Sequence, residues 1–178
     1  MLTHDMIAEG VHYLPADPPE SVAAKLVGVT LSDLAGKGAK PVGALLGYCL
    51  GEGDWDRRFV RGLGEALRGY GCPLLGGDTI ALPAARARVL GLTAIGRAGP
   101  RVPDRAGGRA GDALWLVGAL GDSAAGLAML REDPSASGPL VEDYRRPRAL
   151  LLEGEALAPL ATAMMDVSDG LLIDAGRM

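Results

Sequence analysis

Five aspartates offer this sequence its chemistry: Asp5, Asp33, Asp78, Asp166 and Asp169. Each sits in a short polar run: Thr3-His4-Asp5, Ser32-Asp33, Gly76-Gly77-Asp78-Thr79 and Asp166-Val167-Ser168-Asp169-Gly170. Brought together, such carboxylates repel one another unless cations lie between them. Mg²⁺ resolves this, because it binds one or two carboxylates and fills its remaining positions with phosphate oxygens and water. The chemistry expected is metal-bridged phosphoryl transfer, which asks the protein for positioning and charge stabilisation more than for covalent work. Each run also has a plain structural reading. A strand followed by Gly-Gly-Asp is an ordinary turn, and Asp33 near Gly36 and Gly38 reads equally as a polar helix end. His12 reads as a loop histidine, and Arg105 as an exposed linker arginine that could also offer a planar fork to phosphate oxygens.

The elements that must position these residues alternate between α and β. Met1–Asp5 reads as the tail of a strand whose beginning precedes this sequence. Pro18-Pro19-Glu20-Ser21 opens a helix, with proline and an acid in its first turn, and Val22, Leu26 and Val29 give it apolar spacing. Asp33 follows Val29 by four positions and so falls on or beside the buried stripe. A carboxylate there needs a partner. Lys25 and Lys37 read as solvated. Val42–Leu50 is expected as a buried strand, with Gly51-Glu52-Gly53-Asp54 as turn and cap. Trp55, Phe59, Leu63 and Leu67 stripe an amphipathic helix, off which Arg57, Arg58, Arg61 and Arg68 read as a wet face. A strand then feeds Asp78, Pro83–Arg88 turns the chain, and Val89–Ile95 returns as a strand. The Gly-, Pro- and Arg-rich run 97–108 is expected to hold a domain boundary, dividing the chain into 1–107 and 108–178. Asp112–Val117 is expected as the first strand of the second domain. Asp122 or Ser123 would cap a helix over 124–130, a polar loop follows, and further helices are expected after Arg148 and over 171–175.

Composition narrows the class. The chain has 178 residues, 48% of them apolar, so a real core is available. The net charge of -4, with no basic block, and only one Phe, two Trp and four Tyr argue against nucleic-acid binding. Cys49 and Cys72 lack metal or disulfide spacing and read as small apolar residues in a reducing compartment. There is neither a signal peptide nor an apolar run long enough to span a bilayer, so the expectation is a cytoplasmic protein without a membrane partner. No Gly-x-x-x-x-Gly-Lys-Ser/Thr loop, protein-kinase signature or nucleophilic triad is present.

The runs named above, together with Glu9-Gly10-Val11-His12, Leu31-Ser32-Asp33-Leu34-Ala35 and Gly121-Asp122-Ser123-Ala124-Ala125-Gly126-Leu127, resemble thiamine-monophosphate kinases. These belong to a superfamily that includes aminoimidazole ribonucleotide synthetase. The resemblance implies an α+β fold with α/β-like layers. Its N-terminal mixed sheet would bind ATP and Mg²⁺ and form a barrel across a homodimer, and the α/β C-terminal domain would be incomplete. It also implies direct, Mg²⁺-dependent transfer from ATP to thiamine monophosphate, giving thiamine diphosphate. Asp5, Asp33, Asp78, Asp166 and Asp169 would ligate metal. Thr3, His4, Gly77, Asp78, Arg105 and Ser168 would meet ATP, and His12 would meet thiamine monophosphate. No further catalytic residue is implied.

His4 stands where the family has a second Thr or Ser, and Thr30 where it has Asn. The family's Gly-Asp-Asp segment would lie before Met1, and a glutamate and an aromatic residue that hold thiamine after Met178, so the chain reads as shortened at both ends. Two other readings compete: another ATP-using enzyme of the superfamily, and a non-catalytic nucleotide-binding or dimerisation fragment.

Overall fold

The computed structural model describes residues 1–51, 53–81 and 87–178. The turn expected over 83–88 falls largely outside them, as does Glu52 of the expected 51–54 turn. Gly53 and Asp54 already belong to the helix that follows.

Four strands make one mixed sheet: β1 (Leu2–Ala8), β2 (Lys40–Leu50), β3 (Leu74–Ala81) and β4 (Val89–Arg97), in the order β1-β4-β2-β3. β4 runs antiparallel to both β1 and β2, while β2 and β3 are parallel. A parallel pair requires a long crossover, and helix α2 (Gly53–Gly69) supplies it. Leu75 is skipped in the β2–β3 ladder, where Leu74 pairs with Ala44 and Gly76 with Leu45. At Gly77 an added Cβ would lie 2.0 Å from the Leu46 carbonyl oxygen, so strand packing by itself demands glycine there.

Strand alternation sends Ile7, Ala44, Tyr48, Leu90, Leu92 and Ala94 to one face, where α1 (Pro19–Ala35) covers them. α2 adds Phe59, Leu63 and Leu67, and the rings of Tyr48, Phe59 and Trp55 stack at 5.2 and 5.3 Å. The expected apolar stripe of α2 is therefore core. Its arginines are less idle than expected. Arg58 and Arg61 both reach Glu20 in the first turn of α1, and the Arg58 fork holds the Glu20 carboxyl down at about 2.

α1 is buried nearly all round because later helices cover its second side. These are α3 (Asp122–Glu132), α4 (Pro139–Arg145), α5 (Leu151–Leu157) and α6 (Leu171–Arg177), of which α4 and α5 pack on α1. Contact is backbone to backbone: a Cβ on Gly28 would sit 2.1 Å from the Pro147 carbonyl oxygen, and one on Gly154 2.1 Å from that of Ala35. A smaller cluster of Leu130, Val141 and Tyr144 ties α3 to α4.

The expected strand at 112–117 is not a strand. Leu114, Trp115, Leu116 and Val117 are exposed, because no strand among the described residues lies beside them to take their backbone hydrogen bonds. Nor do Asp122 and Ser123 cap α3. Gly121, in the left-handed region at φ 92°, takes the N-cap position without a side-chain bond, and Asp122 is already helical. α4 lies between the expected polar loop and the charged run at 145–148, in a stretch for which no element was expected. Lys25 is buried instead of solvated, for reasons given below. Cys72 is buried and Cys49 half-buried, and both are free thiols. No helix of the described residues is long and apolar enough to cross a membrane.

Candidate active site

β1 points Thr3 and Asp5 at α1 and turns Leu2, His4 and Met6 to the opposite face. The last two turns of α1 present Thr30, Ser32 and Asp33 to them. The Thr3 hydroxyl donates to the Asp33 carboxylate. Burial holds the Asp5 carboxyl above its usual range, and the Asp33 charge pushes it further up. Among the described residues Asp5 Oδ2 is buried with no hydrogen-bond partner: the adjacent Thr30 hydroxyl spends its single proton on the Leu26 carbonyl at 2.8 Å, and its nearness offsets the rise only in small part.

Asp166 joins from the far end of the chain. Its carboxyl is likewise raised, by burial first and then by the charge of Asp33, with a smaller push from Asp5, while the nearby Ser32 hydroxyl acts in the opposite sense. Gly36 makes this approach possible: an added Cβ there would lie 2.7 Å from the Asp166 backbone nitrogen. Lys37 fastens the same region by donating to the carbonyls of Pro103 and Met164, each at 3.2 Å. A bridge between Asp104 and Ala163 lays the turn carrying Arg105 alongside the segment that leads to Asp166. Arg105 itself is exposed.

Asp5, Asp33 and Asp166 thus meet beside the C-terminal end of α1. That end is the negative pole of the helix, so it adds to the excess of negative charge. Among the described residues none of the three forms an ion pair. Such an arrangement favours a cation, and the orphaned oxygen of Asp5 is of a type that could ligate one. Among the described residues no three His, Cys, Asp or Glu side chains form a ready-made metal cage. That fits a metal completed by phosphate and water rather than one caged by protein.

The remaining expected residues stand apart. Asp78 falls in the row Met6–Gly91–Gly47–Asp78, whereas Asp5 falls in the row Asp5–Leu92–Leu46–Gly77. Successive rows face opposite sides, so Asp78 lies on the other face from Asp5 and three strand spacings away, about 14 Å. It is exposed, and its Oδ1 accepts from the Thr79 amide at 2.9 Å. His4 shares that outer face, with Nδ1 2.8 Å from the Thr93 hydroxyl. The structure therefore does not bring Asp78 or His4 to the acidic cluster within one chain. Asp169 pairs with Arg177. The amides of Ser168 and Asp169 both donate, at 2.9 Å, to Asp174, which is 1% exposed and holds the 166–170 loop from within. Sequence reasoning passed over Asp174; its signal was an acid in the first turn after Asp-Gly, where it can accept loop amides. His12 is exposed near the start of α1, with Nδ1 accepting from the Ala8 amide at 3.0 Å. A cleft of about 360 Å³ between Tyr70 and Arg146 includes none of these residues.

Comparison with known proteins places this cluster in context. The thiamine-monophosphate kinase of Escherichia coli strain K12 is 36% identical over 185 residues, covering 99% of this chain and 56% of that protein. The AaThiL structure complexed with AMPPCP and TMP superposes with a TM-score of 0.90 at 33% identity, covering 99% of this chain and 58% of its own. The thiamine-monophosphate kinase crystal structure from Stenotrophomonas maltophilia K279a gives a TM-score of 0.87 at 32% identity, again over 99% and 58%. The chain thus spans somewhat more than half the length of the relatives it matches. Residues 1–98, which hold the whole sheet together with Asp5 and Asp33, match the AIR synthase related protein N-terminal domain, and the chain belongs to that family.

Proposed function

We propose that the protein transfers the γ-phosphoryl group of ATP to thiamine monophosphate, forming thiamine diphosphate. The observation that carries this is the convergence of Asp5, Asp33 and Asp166, partly buried and without an ion pair among the described residues, at one end of α1. The kinship with thiamine-monophosphate kinases and the likeness to a structure complexed with AMPPCP and TMP support the same reading.

The acceptor is itself a phosphate, whose second pKa near 6 leaves its oxygen largely ionised at pH 7. No strong general base is needed. The barrier is the approach of two anions, and bound Mg²⁺ would screen and orient their oxygens. Asp5, Asp33 and Asp166 would hold Mg²⁺, and Asp169 would join them on release from Arg177. Thr3, Gly77, Ser168 and Arg105 would orient the nucleotide, and His12 the acceptor. Two copies would join through the uncovered face of the sheet, on which Asp78 and His4 lie beside exposed Leu2, Met6 and Leu45. In a homodimer of this kind the two residues would find partners that one chain does not offer. The setting proposed is the cytoplasm.

The test is direct. The full-length protein, given ATP, Mg²⁺ and thiamine monophosphate, should yield thiamine diphosphate and ADP, read by chromatography. ATP binding without product in excess Mg²⁺ would instead make it a nucleotide-binding module.

A further inference from the structure

Lys25 lies in the middle of α1 and is 6% exposed. A buried lysine is costly unless its charge is met. Here the ammonium donates to the His12 carbonyl at 2.9 Å and sits 3.4 Å from the centre of the Tyr144 ring. Asp17, 3% exposed, stands behind both: it accepts from the Leu14 amide at 2.9 Å and from Arg145 at 2.8 Å, and, second to burial, its charge helps hold the Tyr144 hydroxyl above its ordinary pKa. Burial brings the Lys25 ammonium down to about 8, and Asp17 opposes that fall. The phosphoryl-transfer reading gives none of these four side chains a task.

What the ammonium grips is the backbone of one residue. His12 is otherwise a surface residue in a short turn, yet its carbonyl is held by Lys25, its amide by the Ala8 carbonyl at 2.9 Å and its ring by the Ala8 amide. Because Nδ1 accepts from that amide, the neutral ring carries its proton on Nε2. On this exposed ring the Nε2–H remains as a hydrogen-bond donor, the form suited to a phosphate or phosphate-ester oxygen.

We propose that Lys25 is a positioning residue for the phosphorylated acceptor: by holding the His12 carbonyl it fixes the turn, and with it the Nε2–H donor. The proposal rests on the assignment of His12 to the acceptor made above. Fixing the donor beforehand spares the cost of ordering it on binding, so the benefit should show in acceptor affinity and not in nucleotide affinity. Tyr144 and Arg145 extend the same support from α4, Arg145 through Asp17, which gives the second half of the chain a grip on a turn in the first.

The test uses the full-length protein and the variants Lys25→Met, Lys25→Arg and His12→Ala. Binding of thiamine monophosphate and of ATP is measured by calorimetry, and the His12 ring tautomer by nitrogen NMR. Lys25→Met should weaken thiamine monophosphate binding about tenfold, leave ATP binding within twofold and add little further loss in a His12→Ala background. Lys25→Arg, which keeps a charged donor, should recover most of the affinity. The parent ring should hold a single Nε2–H tautomer and the Met variant a mixture. Unchanged acceptor binding and tautomer in Lys25→Met, with His12→Ala still weakened, would overturn the role of Lys25 alone. Unchanged binding in His12→Ala would overturn the His12 assignment and the proposal with it. Should Lys25→Met fail to fold, an Arg variant as weak as His12→Ala would also count against the proposal, because its donor and charge are retained.

Discussion

Asp5 shows most clearly what single residues contribute. Its carboxylate is crowded by Asp33 and partly desolvated, and one oxygen has no partner among the described residues. Such a group weakens the fold in return for readiness to bind. Asp5→Asn should therefore stabilise the metal-free protein by about 1 kcal/mol while abolishing the rise in Tm that Mg²⁺ and ATP give the parent; thermal denaturation with and without both reads each effect. The sign with pH follows from a folded-state carboxyl raised above its unfolded value. The parent's penalty is absent below the ordinary carboxylate pKa, grows as pH rises through the interval up to the raised folded value, and is constant above it. The variant's advantage should open over that window. Glu20 behaves oppositely. Its carboxyl is held down at about 2 by Arg58, so its contribution is complete above the ordinary carboxylate pKa and is lost as pH falls from there toward about 2.

Among the elements, α1 organises the site. It covers the sheet on one side, receives α4 and α5 on the other, and presents Ser32 and Asp33 at its end. Two glycines set how closely the later chain can approach it, Gly28 against Pro147 and Gly36 against Asp166. Gly36→Ala places a Cβ where backbone already stands and should move Asp166 away from Asp33. ATP affinity in the presence of Mg²⁺ should fall on the order of tenfold, as small displacements of aligned groups do. Gly64→Ala in α2 is the control. There the nearest atom to an added Cβ is the far end of the Arg68 side chain, so binding should hold and stability should rise by up to about 1 kcal/mol. Calorimetric titration of both variants separates the local effect from a general one.

For the molecule as a whole, the uncovered sheet face carries the remaining assignments. Leu2, Met6 and Leu45 are 73%, 57% and 40% exposed there, a row of apolar side chains that a second copy would cover. Leu45→Lys should convert the proposed dimer to monomers in sedimentation analysis and should weaken Mg²⁺-dependent nucleotide binding if, as proposed, Asp78 acts across the dimer. A parent protein that sediments as a monomer would remove the dimer and, with it, any role for Asp78 at the acidic cluster.

Much of this was legible in order along the chain. α1 and α2 announce themselves by periodicity, because each buries one face and the apolar residues must repeat with the helix, while the strands were legible as short apolar runs bounded by turn residues. The acids of the candidate site were legible as types, since a carboxylate beside glycine or at a helix end is a local signal. Residues 112–117 misled because an apolar run looks the same whether or not a strand lies alongside to pair with it, and pairing is not local. The same limit hid the burial of Lys25, whose partners lie on the 12–17 turn and on α4. Residue type and spacing thus determined which groups could bind metal and phosphate. Only the folded chain decided which of them meet: sheet register put Asp5 and Asp78 on opposite faces, and the close approach at Gly36 brought Asp166 to Asp33 from 133 positions away.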